Sequence, residues 1–365
     1  MAAFPTRPVQ RRSTRLGNLA LFGVTVVAFL GLLEIVLRVL ELGYGESPLV
    51  YDAKIHHRHP YDYRYRRNDS RGEFGGFVIE YDGIGRTVDP DHQIVFDPAR
   101  HKRTVAVMGD SMVEAGQMHY RNGFVGLLNQ RAAEDVFAVN WGVATYSPML
   151  YRVQWHKDIA ATRPDLVVMM LYSNDVMDDG LYARTATLDA NGLPTAVAGP
   201  PENVVTNTLR QLYVARLVRL GWRTVSYLIS PKDDERTRTM GPIGGFIELS
   251  PEMSPLTDRV LRGIVKEVRA SGVRFVLTAV PSKYVIMSGD RSKADRQWAA
   301  NAKRWAEANG VDYIDLWPAF AAYTAARQES DPRLFFHYDI HPNEAGHRLI
   351  AETIAKALPD YFRQK

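Results

Sequence analysis

Five short apolar runs, unbroken rather than alternating, recur along the chain and constrain its fold more than any other feature. They are Thr104–Met108, Val136–Asn140, Leu166–Leu171, Arg274–Val280 and, more weakly, Val311–Asp315. A strand with one wet face alternates apolar and polar residues; an unbroken run means that both faces are covered, as in a parallel sheet. Between these runs lie stretches with helical periodicity: Phe124–Ala133, Leu256–Ala270, Ala294–Ala308 and Glu344–Leu358. Two of them stop at Ser271-Gly272 and Asn309-Gly310, where glycine ends a helix without a side-chain penalty. The pattern predicts an α/β domain over 101–365, a three-layer α/β/α sandwich around a central parallel sheet. No internal repeat is visible.

The N-terminus has a different character. From Leu16 to about Leu40 the chain is almost wholly apolar, and Leu19–Leu33 carries no charge. About 20 helical residues at ~1.5 Å each span a ~30 Å hydrocarbon core. Arg7, Arg11, Arg12 and Arg15 precede the run with no acid among them, which predicts a cytoplasmic start at 1–15 and a single transmembrane anchor at 16–40. A cleaved signal peptide would want small residues before its cut, and Glu41-Leu42-Gly43-Tyr44 offers none. A buried core helix would leave the arginines unexplained. The domain beyond is therefore expected outside the inner membrane, on the periplasmic side.

Residues 41–100 read as a linker with a β-rich lead-in, including a strand at Phe77–Tyr81 and a turn at Asp82-Gly83. His56, His57 and His59 lack a fourth partner at ligand spacing and read as solvated linker residues. The interval 181–250 is too long for a simple crossover. Within it Val204–Ile229 reads as an amphipathic helix, either packed on the sheet or acting as a lid or membrane-facing element, and Pro231–Gly245 as a loop. The absence of cysteine removes disulfides, thiolate metal sites and a cysteine nucleophile. The formal charge of +4 is local rather than a domain-scale basic stripe, so nucleic acid is not an expected partner.

Four segments at the ends of predicted strands carry residues suited to chemistry, and the carboxyl edge of an open α/β sheet is where sites form. Gly109-Asp110-Ser111 places a serine between a strand and a helix, where it is either a plain helix cap or a hydroxyl presented at the sheet edge. Gly142 follows the second strand, where a missing side chain lets backbone approach a ligand. Asn174 follows the third, as an Asx-turn or as a hydrogen-bond donor. Asp339-Ile340-His341-Pro342 precedes the last helix, and a histidine is the side chain best suited to take a serine proton near neutral pH.

Gly-Asp-Ser, then Gly, then Asn-Asp, then Asp-x-His-Pro-Asn-x-x-Gly-His, in this order over about 104–355, resembles the SGNH/GDSL hydrolase superfamily. The resemblance implies a flavodoxin-like sandwich and a serine-dependent acyl-ester hydrolase that needs no cofactor or metal. It implies Ser111 as nucleophile, His341 as base and Asp339 as the acid that orients it. The Ser111 and Gly142 N–H groups and the Asn174 side chain would form the oxyanion hole, with Asp110 bracing the loop. The expected substrate is a small-molecule, glycan or lipid acyl ester; the alternative is an O-acyltransferase that passes the same acyl group to an extracytoplasmic polysaccharide.

Two residues depart from the family pattern. Ser173 stands where glycine is usual before the asparagine. The acid usually lies three residues before the histidine, where this chain has Tyr338, and Asp339 is two before it. Either a bend brings Asp339 to the ring or the site is a Ser–His dyad. Two other readings compete. His337, Asp339 and His341 alternate and on an extended segment would share a face, as metal ligands can. An inactive glycan-binding scaffold is the last.

Overall fold

A computed structural model of the chain describes residues 12–40, 48–68, 72–200, 205, 209, 212–229, 253–288, 294–328, 330–337 and 339–363. The N-terminal run forms one helix, α1 (Arg12–Val39). Its segment Leu16–Val39 is long and apolar enough to cross a membrane, and none of its most apolar window is buried in the protein.

Eight strands form the main sheet: β1 (Tyr63–Asn68), β2 (Gly75–Tyr81), β3 (Thr87–Val88), β4 (Arg103–Met108), β5 (Val136–Asn140), β6 (Leu166–Leu171), β7 (Arg274–Ala279) and β8 (Asp312–Asp315). Their spatial order is β8-β7-β6-β4-β5-β3-β2-β1. The five strands read from the apolar runs are mutually parallel, in register from Val105↔Leu166 to Ala279↔Asp315. Alternate residues of one strand feed opposite cores, which is why the runs are unbroken. Ala106, Met108, Phe275 and Leu277 pack with Trp298 and Ile264 on one face; Val105, Val107 and Val276 pack with Phe124 and Ile350 on the other.

The lead-in is not a separate unit: β1–β3 extend the same sheet as an antiparallel edge, joined to β5 through Thr87↔Asn140. The histidines read as solvated are in two cases buried. His57 is 3% exposed and His59 is 1% exposed. His57 Nε2 lies 2.9 Å from Ala144 O, and His59 stacks on Tyr81 with its Nε2 3.3 Å from the buried Glu114 carboxylate. Burial holds His57 near pKa 4, uncharged at neutral pH.

The helices are α2 (Ser111–Glu114), α3 (Phe124–Asn129), α4 (Pro148–Gln154), α5 (Asp175–Tyr182), α6 (Tyr213–Ile229), α7 (Pro255–Ala270), α8 (Lys283–Ser288), α9 (Ala294–Ala308), α10 (Trp317–Ala326) and α11 (Glu344–Ala357). Helix α3 stops short of the expected Ala133. The Asn129 side chain leaves the helix to accept from Ala138 N at 2.7 Å and donate to Ala138 O at 2.8 Å, pairing backbone that no strand covers. Within the interval 181–250, Ala186–Leu188 and Pro194–Val197 form a hairpin pinned by Arg152 to Pro194 O at 2.6 Å. Helix α6 packs against α1; Pro231–Gly245 lies outside the described residues.

The parallel strands run 2-1-3-4-5, so the order reverses between β4 and β6, and the crevice beyond their carboxyl ends is where such sheets bind ligands. Ser111 follows β4 and Asn174 follows β6.

Candidate active site

Helix α2 begins directly after β4. Its N-cap is Asp110, whose buried carboxylate accepts from Met112 N at 2.9 Å. Burial pushes the Asp110 carboxyl up to about 6. Ser111 is thus the first helical residue, and its hydroxyl is not spent on capping. The Ser111 Oγ instead lies 2.7 Å from His341 Nε2.

His341 reaches it from a clamped loop. Phe335 bridges Pro342, Phe336 N donates to His341 O at 3.2 Å, and Lys283 Nζ donates to His337 O at 2.5 Å. Glu73 accepts from His337 N on the loop's other side. Asn343 caps α11, accepting from Ala345 N and Gly346 N. The two-residue spacing works through an Asx-type bend: Asp339 Oδ1 accepts from His341 N at 2.9 Å and from the His341 ring Nδ1. Tyr338 lies outside the described residues.

These contacts set the charges. Burial opposes ionisation of Asp339, but the His341 charge, two hydrogen bonds and nearby Arg67 hold its carboxyl down at about 2. Burial by itself depresses His341; Asp339, with Asp110 and Glu114, outweighs it, and the imidazole ends above its ordinary value. The other histidine of the segment, His347, is buried, accepts from Phe124 N at 3.1 Å and stays near 3, a structural role.

Gly142 sits against the backbone of α2, and a Cβ there would fall on Glu114 N. Its N–H donates to Asn140 Oδ1 at 2.9 Å, while Asn140 Nδ2 donates to Val113 O at 3.0 Å. Asn174 Nδ2 donates to Asp178 Oδ2 at 2.7 Å, which occupies one of its two amide hydrogens. Burial pushes the Asp178 carboxyl up to about 7.

Sequence reasoning missed Asn140, Asp178 and Gln117, whose Nε2 lies 3.1 Å from His341 Nδ1. Two of the three had a local signal: Asn140 precedes Gly142 by the two residues of an Asx-turn, and Asp178 follows Asn174 by one helical turn. Gln117 had none. Among the described residues the alternating metal triad does not gather: His337 Nδ1 meets Arg333 at 3.0 Å, while His341 is engaged by Asp339 and Ser111. Among the described residues the group of three whose ligand atoms do gather is Asp89, Asp91 and His119, and Arg121 already ion-pairs with Asp91 there.

The model of the GDSL-like lipase/acylhydrolase family matches residues 107–349. No curated protein matches the chain. Similar solved structures include LAE5, an alpha/beta hydrolase enzyme from the metagenome of Lake Arreo, Spain, at 18% identity and TM-score 0.42, covering 71% of this chain and 96% of that one. The acetyl xylan esterase AlAXEase gives 14% identity and 0.40, covering 70% and 99%. The acetylxylan esterase Axe2 from Geobacillus stearothermophilus gives 16% and 0.41, covering 70% and 94%. With a family match over most of the α/β domain, the chain belongs to the GDSL-like lipase/acylhydrolase family and is an ester-bond hydrolase.

Proposed function

We propose that the protein cleaves an acyl ester through a covalent acyl-serine on Ser111. One observation carries the reading: a serine hydroxyl 2.7 Å from the Nε2 of a histidine whose Nδ1 is held by a carboxylate. Ser111 Oγ attacks the ester carbonyl carbon as His341 Nε2 takes its proton. The tetrahedral oxyanion collapses, and His341 returns the proton to the leaving alcohol. Water, deprotonated by the same nitrogen, then attacks the acyl-serine; the acyl–Oγ bond breaks, the acid leaves and His341 returns the proton to Ser111 Oγ. Asp339 fixes the ring tautomer and stabilises the imidazolium throughout.

The oxyanion donors are the Ser111 N–H, at the unpaired start of α2, and the second N–H of Asn174. Gly142, whose N–H already donates to Asn140, has the smaller share. Asp178 holds the Asn174 amide in place. Asn174→Ala is expected to lower kcat by about 10²–10³-fold with little change in KM, read from steady-state kinetics on a p-nitrophenyl ester.

Helix α1 serves in this reading as a single-pass anchor in the inner membrane, N-terminus inside, with the hydrolase domain of 101–365 and its β1–β3 edge on the periplasmic side. An anchor there suits an acyl ester on an envelope glycan or lipid. A serine-directed fluorophosphonate applied to the full chain in detergent, followed by peptide mapping, should mark Ser111 alone. A label on a different serine, or none, refutes the acyl-serine. Adding sugar acceptors and looking for acylated product then tells whether water or a sugar hydroxyl receives the acyl group.

A further inference from the structure

Helix α6 has a clear inside and outside. Tyr213 and Arg216 are buried, with the Arg216 guanidinium over the Tyr63 ring at 5.4 Å and the Tyr213 ring at 5.7 Å. Val218, Trp222 and Val225 are 66%, 73% and 50% exposed. At 3.6 residues per turn these three share one narrow arc on the side away from Tyr213. Single exposed apolar residues need no explanation, but a tryptophan and two valines aligned on one helix face mark a contact surface.

Helix α1 sets where that face lies. The Glu34 carboxylate accepts from Tyr213 N at 3.1 Å and Val214 N at 2.9 Å, so a residue of the apolar helix caps the start of α6. Arg38 pairs with Glu34 at 2.7 Å and lies over the Tyr213 ring at 5.0 Å. Near this end of α1 only Leu33, Glu34 and Leu37 are covered, while Leu32, Ile35, Val36 and Val39 stay exposed. Glu34 stands five residues before the end of α1, which is about 7.5 Å along its axis. Helix α6 therefore starts at the depth where a spanning α1 leaves the hydrocarbon.

The geometry points to α6 lying in the outer headgroup layer of the bilayer that α1 crosses, with Val218, Trp222 and Val225 in lipid. The inference rests on α1 as a membrane span. Its occupant is a lipid surface rather than a protein because α6 starts against Glu34, at the outer end of the spanning helix, and because tryptophan prefers the interface between acyl chains and headgroups. Through Arg216 on Tyr63 and Tyr65 of β1, α6 ties the sheet edge to the membrane, so the domain is seated there rather than hung on a free linker.

The chain has no cysteine, so one nitroxide label can be placed at a time on the full protein in nanodiscs of phosphatidylethanolamine and phosphatidylglycerol. Labels at Val218→Cys and Trp222→Cys should collide freely with oxygen and poorly with a water-soluble nickel chelate, at a depth of about 5–10 Å. Val27→Cys in α1 should read deeper, and Leu188→Cys, on the exposed hairpin, should be open to nickel. Nickel access at 218 and 222 with 27 in lipid overturns the seating of α6 alone. Nickel access at 27 overturns the span and the seating with it. Shielding of 222 from both reagents places a protein neighbour on the arc and also overturns the proposal.

Discussion

Replacing Ser111 with alanine is expected to lower kcat on a p-nitrophenyl ester by about 10⁴–10⁶-fold while leaving the unfolding temperature close to that of the parent. The two halves of that result come from different atoms. The cap of α2 is supplied by the Asp110 carboxylate on Met112 N, so the helix keeps its first hydrogen bond when the Ser111 hydroxyl is gone. The hydroxyl itself contacts His341, and its loss removes the attacking atom without opening a core cavity. What activity survives should come from the oxyanion donors and His341 acting on water, and it should show no acyl-enzyme by mass spectrometry. Full turnover by Ser111→Ala would remove Ser111 from the chemistry. A fall in activity accompanied by an equal fall in stability would instead return Ser111 to the role of a helix-end residue. Asp110→Ala supplies the contrast: it should destabilise the protein by about 1 kcal/mol or more through the lost cap, and it also removes a charge that favours the His341 imidazolium.

How much of the fold and site is legible in the sequence follows from how local each signal is. The parallel strands are legible because each residue of Val105–Met108 in β4 and of β6 enters a core on one side or the other, leaving no polar position to break those runs. Ser111, Gly142, Asn174 and His341 were legible because each follows a strand or precedes a helix at a short, fixed spacing. The sheet edge was not. Strand β1 is written Tyr63-Arg64-Tyr65-Arg66-Arg67-Asn68, a polar run, and only the pairing of Thr87 with Asn140 attaches its neighbours to the main sheet. His57 and His59 look solvated for the same reason: their partners Ala144 and Glu114 lie far along the chain. The early end of α3 depends on Asn129 finding backbone of β5, a contact close in sequence that forms only once the strand has docked beside the helix. Gln117 at His341 and Lys283 beneath the histidine loop depend on tertiary approach alone.

Asp339→Asn is expected to lower the plateau of kcat by about 10⁴-fold and to move the acid limb of the pH–rate profile to lower pH. The plateau falls because an amide presents an N–H to His341 Nδ1 in place of a carboxylate oxygen. That favours the tautomer with its proton on Nε2, where the lone pair for Ser111 is needed. The direction of the pH change follows from what holds the His341 proton. Burial disfavours the imidazolium; the Asp339 charge and hydrogen bond, with the charges of Asp110 and Glu114, favour it and win, so His341 titrates above its ordinary value. The base must be neutral to accept the serine proton, so the parent rate should climb as pH rises through that elevated pKa. In the variant the favourable charge is gone and the burial remains, so the imidazole loses its proton at lower pH and the limb follows it down. A merely structural defect would lower the plateau without moving the limb. A rate close to the parent's would mean that the bend at Asp339 is architecture, and that Ser111 and His341 act as a pair without an acid behind them.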